Sequence, residues 1–401
     1  NIVFAIALIG RFGLAGVAFA SWASRIADAK NDLGLGAGEL GATLFAMSVG
    51  SVLALPLTGR VVERFGVVRT IRAGMIAAAL GAVVVGLGVD TFASRPVVMG
   101  GLFLLGVGVG GWDVAMNLEA TDVERHLGRA IMPHFHAAFS GGTVLTALLG
   151  AGLSWANVPI LAHLSVVAVL VTVAGLWALR SCLPHEATAA GATAAHKATT
   201  GEKSASAWRE PRTLLIGLVV LVAAFTEGTA NDWLAVAFHE GHQLPTWAGV
   251  LAFATFLTCM TVGRIVGTSL LDEHGRVPVL RVCFTLAIIG SAMVIFGNAW
   301  LAFVGAAIWG VGASLGFPVG MSAAADDQAR AAARMSVIAT IGYAAFLAGP
   351  PLLGFLGDHW GVLKSLTVVG AGAILALLIV PVTREPQRAV DHAAEPAQPV
   401  G

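Results

Sequence analysis

The chain has 401 residues, 57% hydrophobic and 11% charged, with 23 Lys and Arg balanced by 23 Asp and Glu. So few charges cannot clothe a water-facing surface of this size, which excludes an ordinary soluble globule. With a formal net charge of zero and arginines that flank apolar runs, the chain also lacks an extended basic face for nucleic acid.

Twelve apolar stretches follow in chain order: residues 2–23, 40–61, 71–89, 96–118, 133–153 and 159–179, then 214–238, 247–270, 279–296, 301–322, 335–356 and 362–380. Each is near the roughly 20 residues with which a helix crosses about 30 Å of hydrocarbon. Strands of a lipid-embedded barrel are shorter and alternate polar with apolar side chains. The spacing therefore predicts an all-α membrane protein of twelve transmembrane helices. Gly106, Gly108, Gly110 and Gly111 fall inside the fourth stretch, where small residues allow close helix contact. They lack the strand-turn-helix setting of a dinucleotide loop. The first run is too long for the apolar part of a signal peptide and shows no cleavage pattern.

Residues 181–211 interrupt the pattern after the sixth stretch with an Ala- and Thr-rich segment that needs no core. This predicts a six-helix bundle over 1–180, a linker over 181–211, a second six-helix bundle over 212–382 and a tail over 383–401. Most of the 23 Lys and Arg residues fall on the side shared by both termini, which places that side in the cytoplasm. Cys182, Cys259 and Cys283 form neither a close pair nor a metal-spaced set and are read as structural thiols. There is no HExxH motif, phosphate-binding loop or nucleophile elbow, so neither enzyme activity, cofactor nor metal is expected.

A repeat supports the division into halves. The connection after the second stretch carries Gly59, Glu63, Arg64, Gly66 and Arg69, and that after the eighth carries Asp272 and Gly275. In both copies an acid precedes a glycine by three positions, and Glu63 and Asp272 lie 209 positions apart. Glycine permits a tight reversal, and the acid can accept hydrogen bonds from a neighbouring helix end.

On these residues the chain resembles the major facilitator superfamily of secondary transporters. Glu63 replaces the usual aspartate of the superfamily's loop signature, and Glu273 stands where a basic residue is common. The segments Ser21-Trp22-Ala23-Ser24-Arg25, Gly111-Trp112-Asp113-Val114-Ala115-Met116-Asn117, Met132-Pro133-His134-Phe135-His136 and Glu227-Gly228-Thr229-Ala230-Asn231-Asp232-Trp233 look like a bacterial subgroup distantly related to sugar permeases. The resemblance implies a fold of two pseudo-symmetric six-helix bundles. It also implies a cytoplasmic gating loop at the two repeated turns, a bacterial inner (cytoplasmic) membrane location, and a monomer that moves a small-molecule substrate, with efflux favoured over uptake. In the subgroup an amide commonly stands near the position of Arg11.

Charged groups inside the bilayer mark the expected transport route, because each is costly without a partner or water. Arg11 lies about 12 Å and Asp113 about 10 Å from the inner edge by helical rise, which makes an Arg11–Asp113 pair geometrically possible. Asn117 follows Asp113 by one turn and shares its face. His134 and His136 do not share a face, so one is expected in the cavity and one in a structural role. Glu227, near mid-membrane, is the strongest proton-carrying acid of the second half. Trp112 and Tyr343, the sole tyrosine, are candidate ligand walls. Asp232 and Trp233 lie nearer the outside, as an outer gate or interface.

These residues predict a secondary active transporter of a small polar or amphiphilic organic solute, coupled to protons and working as an exporter. Sugar or organic-acid uptake on the same fold, and a transporter-like sensor or scaffold, are the competing readings.

Overall fold

The computed structural model describes residues 2–127, 132–181, 207–327 and 330–385. Most of the expected linker and nearly all of the expected tail, Cys182 included, lie outside the described residues. The first half contains α1 (Ile2–Ala23), α2 (Ile26–Asp32), α3 (Ala37–Phe65), α4 (Val67–Asp90), α5 (Arg95–Leu127), α6 (Met132–Trp155) and α7 (Ile160–Ala178). The second contains α8 (Pro211–Gly241), α9 (Thr246–His274), α10 (Arg276–Phe296), α11 (Ala299–Ala313), α12 (Gly316–Ala324), α13 (Ala331–Trp360), α14 (Val362–Ser365) and α15 (Thr367–Ile379). Among the described residues there is no strand, and 12 helical spans are long and apolar enough to cross a membrane.

Three spans are broken, at Arg25, Ser314 and Leu366, and polar contacts mark the first two. At Arg25, between α1 and α2, the guanidinium donates to the Val158 carbonyl at 2.7 Å and pairs with Asp28 at 2.8 Å. At Ser314, between α11 and α12, the freed carbonyl accepts from Arg264 Nε at 3.2 Å, so a polar side chain takes over a backbone bond lost inside the span. One helix is longer than expected. The fourth span runs on to Leu127 because Glu119, Ala120 and their successors favour helix after hydropathy has fallen.

The two halves repeat one another closely. Adding 209 to the bounds Ile2–Asp32 and Ala37–Phe65 gives Pro211–Gly241 and Thr246–His274. Gly66 and Gly275 occupy equivalent turns with φ of 84° and 77°, a left-handed conformation in which a side chain would be strained. Tertiary contacts repeat too. Gly106 of α5 lies against the Met47 carbonyl of α3, and Gly310 of α11 against the Phe256 carbonyl of α9; a Cβ at either would overlap that oxygen. Small residues thus set the helix spacing in both bundles.

The bundles meet chiefly where α3 packs on α13 and α6 on α9. Twelve passes place both chain ends on one side, called here the terminal side. At the opposite side three polar contacts join the halves. Lys30 pairs with Glu240, the Gly38 amide donates to Asp358 at 2.9 Å, and the Ser154 and Thr246 hydroxyls bond at 3.2 Å. On the terminal side, no hydrogen bond or ion pair among the described residues crosses between the halves. Among the described residues, polar contacts therefore join the halves at one end only.

Candidate functional site: a cavity between the two bundles

A cavity of 1020 Å³ lies between α6, α9 and α12 and extends to the terminal-side turn of α9 and α10. His134 and His136 form its wall on the first half, and Thr261, Arg264, Asp272 and Arg276 form part of it on the second. Both histidines line it, rather than one, because the exposed first turn of α6 stands at the opening and shows both flanks. His136 stands edge-on to Phe12 at 5.6 Å, while Phe135 between them is buried and stacked on Phe12 at 5.4 Å.

Arg11 does not pair with Asp113. Its guanidinium donates to both oxygens of Glu119, at 2.6 and 3.1 Å, and neither side chain is exposed. This bidentate pair fastens α1 to α5 inside the first bundle, away from the cavity. Asp113 instead accepts from the Asn117 amide of its own helix at 3.2 Å, and is within electrostatic reach of Tyr343 on α13. Trp112 is a second correction. It is fully buried in the first bundle's core with Ile71, Met75 and Met116, not on a ligand wall, because Gly74 of α4 leaves room for it.

In the second half, Glu227 accepts from Arg264 Nη2 at 2.8 Å. Asp232 has no hydrogen bond or ion pair. With Leu221, Phe225 and Gly228 it forms a half-buried stripe on α8, and Gly228 and Phe225 back onto Phe346 and Gly349 of α13. Trp233, 1% exposed, belongs to the second bundle's core, so the closed end is held by Lys30, Glu240 and Asp358 rather than by this tryptophan. Lys30→Glu should therefore loosen the closed end, and adding Glu240→Lys should restore it. Spin-label distances across that end are expected to lengthen in the single variant and return in the double one.

The expected gating-loop residues sit at equivalent places but in unequal surroundings. Arg60, Glu63, Arg64 and Arg69 are exposed and form no ion pair among the described residues, with Gly59 and Gly66 beside them. In the second half Arg276 pairs with Asp326 at 2.7 Å, and Asp326 also pairs with Arg212 at 2.8 Å. Nearby, Glu210 receives Arg330 at 2.5 Å and Arg334 at 2.7 Å. Burial opposes the charge on Glu210, but hydrogen bonds from Thr213 and Arg334 and the charge of Arg330 outweigh it and hold the carboxyl below its ordinary value. A lowered acid stabilises the fold above its unfolded pKa and loses that contribution as pH falls through the folded one. Acidification through the lowered folded pKa should thus release the α8–α13 tether, and hydrogen exchange at Glu210–Thr213 should show it. Glu210→Gln should lack this acid-dependent step.

The sequence reading missed Glu119, Arg264, Lys30 and Glu240. Arg264 carried a signal, since it lies well inside the 247–270 stretch, where a lone arginine needs an acid. Glu119 stood just past the end of an apolar stretch and gave no comparable signal. No group of three metal-binding side chains occurs among the described residues.

Two bundles of six spans with a cavity between them that carries a few charged side chains define the secondary-transporter class of membrane protein. A sequence profile of the Major Facilitator Superfamily matches residues 2–272 and 246–400. The chain belongs to the Major Facilitator Superfamily. It is 32% identical over 92% of its length, and 92% of the relative's, to an uncharacterized MFS-type transporter of Yersinia pestis. It is 30% identical over 93% of its length to the uncharacterized transporter y4wD of Sinorhizobium fredii, of which it covers 96%. Among solved structures, the D-xylose-proton symporter superposes with a TM-score of 0.71 over 95% of this chain and 97% of that one, at 16% identity, a likeness of fold.

Proposed function

We propose that this secondary transporter exports a small polar or amphiphilic organic solute in exchange for protons, by alternating exposure of the central cavity. The observation that carries the reading is the 1020 Å³ cavity open to the terminal side, with carboxylates beyond it that have no basic partner. The arginine-rich turns favour the cytoplasm of a bacterial inner membrane for that side, and on this reading the cavity is loaded from within. Rocking of the bundles about the α3–α13 and α6–α9 contacts would break the Lys30–Glu240 closure and bring the exposed Arg64 and Arg69 turn towards the second half. Asp113 and Asp232 are the proton-carrying candidates. Glu227 acts through its pair with Arg264, and His134 and His136 act at the cavity mouth. The protein works as a monomer, since each chain holds a complete cavity.

Proteoliposomes containing a pH-sensitive dye test this directly. Adding a transported solute should move protons in the opposite direction. Solute flux that is unchanged by an imposed pH gradient, its electrical component included, would remove proton coupling. Proton movement in the same direction as the solute would replace export with symport.

A further inference from the structure

The charges along the route point to a substrate class. Each arginine that lines the cavity is already matched: Arg264 by Glu227 at 2.8 Å, and Arg276 by Asp326 at 2.7 Å with Glu385 at 3.6 Å. An incoming carboxylate or phosphate would have to displace one of these acids to gain a guanidinium. Three acids, by contrast, have no cation on them. Among the described residues, Asp113 accepts only from Asn117 on its own helix, Asp232 has no hydrogen bond or ion pair, and Asp272 lines the cavity without an ion pair. They are not one cluster, because they come from α5, α8 and α9 and are spread along the route.

The surroundings of these acids are apolar and aromatic. Leu315, Phe317, Pro318 and Met321 form much of the cavity wall. Beyond the lining, Tyr343 and Phe346 of α13 pack together with ring centroids 6.3 Å apart. Tyr343 is within electrostatic reach of Asp113, and Phe346 lies against Gly228 on the Asp232 stripe. Aromatic faces attract organic cations through the ring quadrupole, and a low-dielectric wall with unmatched negative charge concentrates cations further.

We infer that the solute carried by this cavity is an amphiphilic organic cation, an amine or quaternary ammonium or phosphonium head on an apolar body. Asp113 and Asp232 receive the charge and Tyr343 and Phe346 the adjoining surface. The inference rests on the transporter reading and narrows its substrate to one sign of charge.

A matched set of probes tests it on the detergent-purified full chain. 2-Phenylethylamine, 2-phenylethanol and 3-phenylpropionate share a ring and tether and differ in the charge of the head; tetraphenylphosphonium is a larger cation. Titration calorimetry at pH 8 should show at least one of the two cations binding about tenfold or more tighter than both the alcohol and the acid, a difference of about 1.4 kcal/mol. Asp113→Asn and Asp232→Asn should each remove that preference. If neither cation binds, or if the alcohol or the acid binds as tightly, the inference is overturned. Counterflow in vesicles separates the two claims. Selective cation binding without movement would leave the charge assignment and remove transport, whereas movement of the neutral or anionic probe in preference to the cations would leave transport and remove the charge assignment.

Discussion

Arg11→Met should be the most destabilising single substitution in the first bundle, at about 3–5 kcal/mol, because it leaves a fully buried carboxylate without its guanidinium. Glu119→Met should also destabilise, because it removes the carboxylate to which both Nη atoms of Arg11 donate. The double variant, Arg11→Met with Glu119→Met, should recover most of the loss, since a buried ion pair replaced by apolar side chains of similar volume is often near neutral. Unfolding of the purified protein followed by circular dichroism gives the cycle. Because the pair fastens α1 to α5 and does not line the cavity, the double variant should also keep transport once expression is matched. Additive losses in the cycle would show that the two residues act separately. Recovered stability with abolished transport would return Arg11 to the transport route.

The same pair shows where sequence reading stops. Span count, the position of the linker and the repeat at an offset of 209 residues were all legible, because apolar length and turn chemistry are local properties. Depth and azimuth were not. The fourth span was ended where hydropathy fell, but α5 runs on to Leu127. Counted from that end, Glu119 lies about 12 Å in and Asp113 about 21 Å, while Arg11 lies about 14 Å from the start of α1, so depth alone now favours Glu119. Asp113 and Glu119 are also six residues apart, about 240° around the helix, so one can face the cavity while the other faces α1. Trp112, Asp113 and Asn117 divide the same way. Neighbours in sequence, they are buried in the core in one case and half-buried in the others, and only the packing of α4 against α5 decides which.

Asp113→Asn is the second large effect expected, and on transport rather than stability. The side chain has no basic partner to strand, and Asn117 can bond to an amide as it does to the acid, so thermal stability should stay close to that of the parent protein. What is lost is an acid that can take up and release a proton between the bundles. Flux driven by an imposed pH gradient in proteoliposomes should fall about tenfold or more, equivalent to about 1.4 kcal/mol on the driven step. Glu227→Gln should behave differently. It frees Arg264 from a half-buried ion pair, which leaves a positive charge beside the cavity and should weaken cation entry at every pH as well as slow the driven flux. Comparing driven flux with passive counterflow separates the two. Asp113→Asn should depress the first far more than the second, and Glu227→Gln should depress both together. Full gradient-driven flux in Asp113→Asn would move proton coupling away from α5. Full flux in both Asp113→Asn and Asp232→Asn, with its loss confined to Glu227→Gln, would make the Glu227–Arg264 pair the proton-sensitive element.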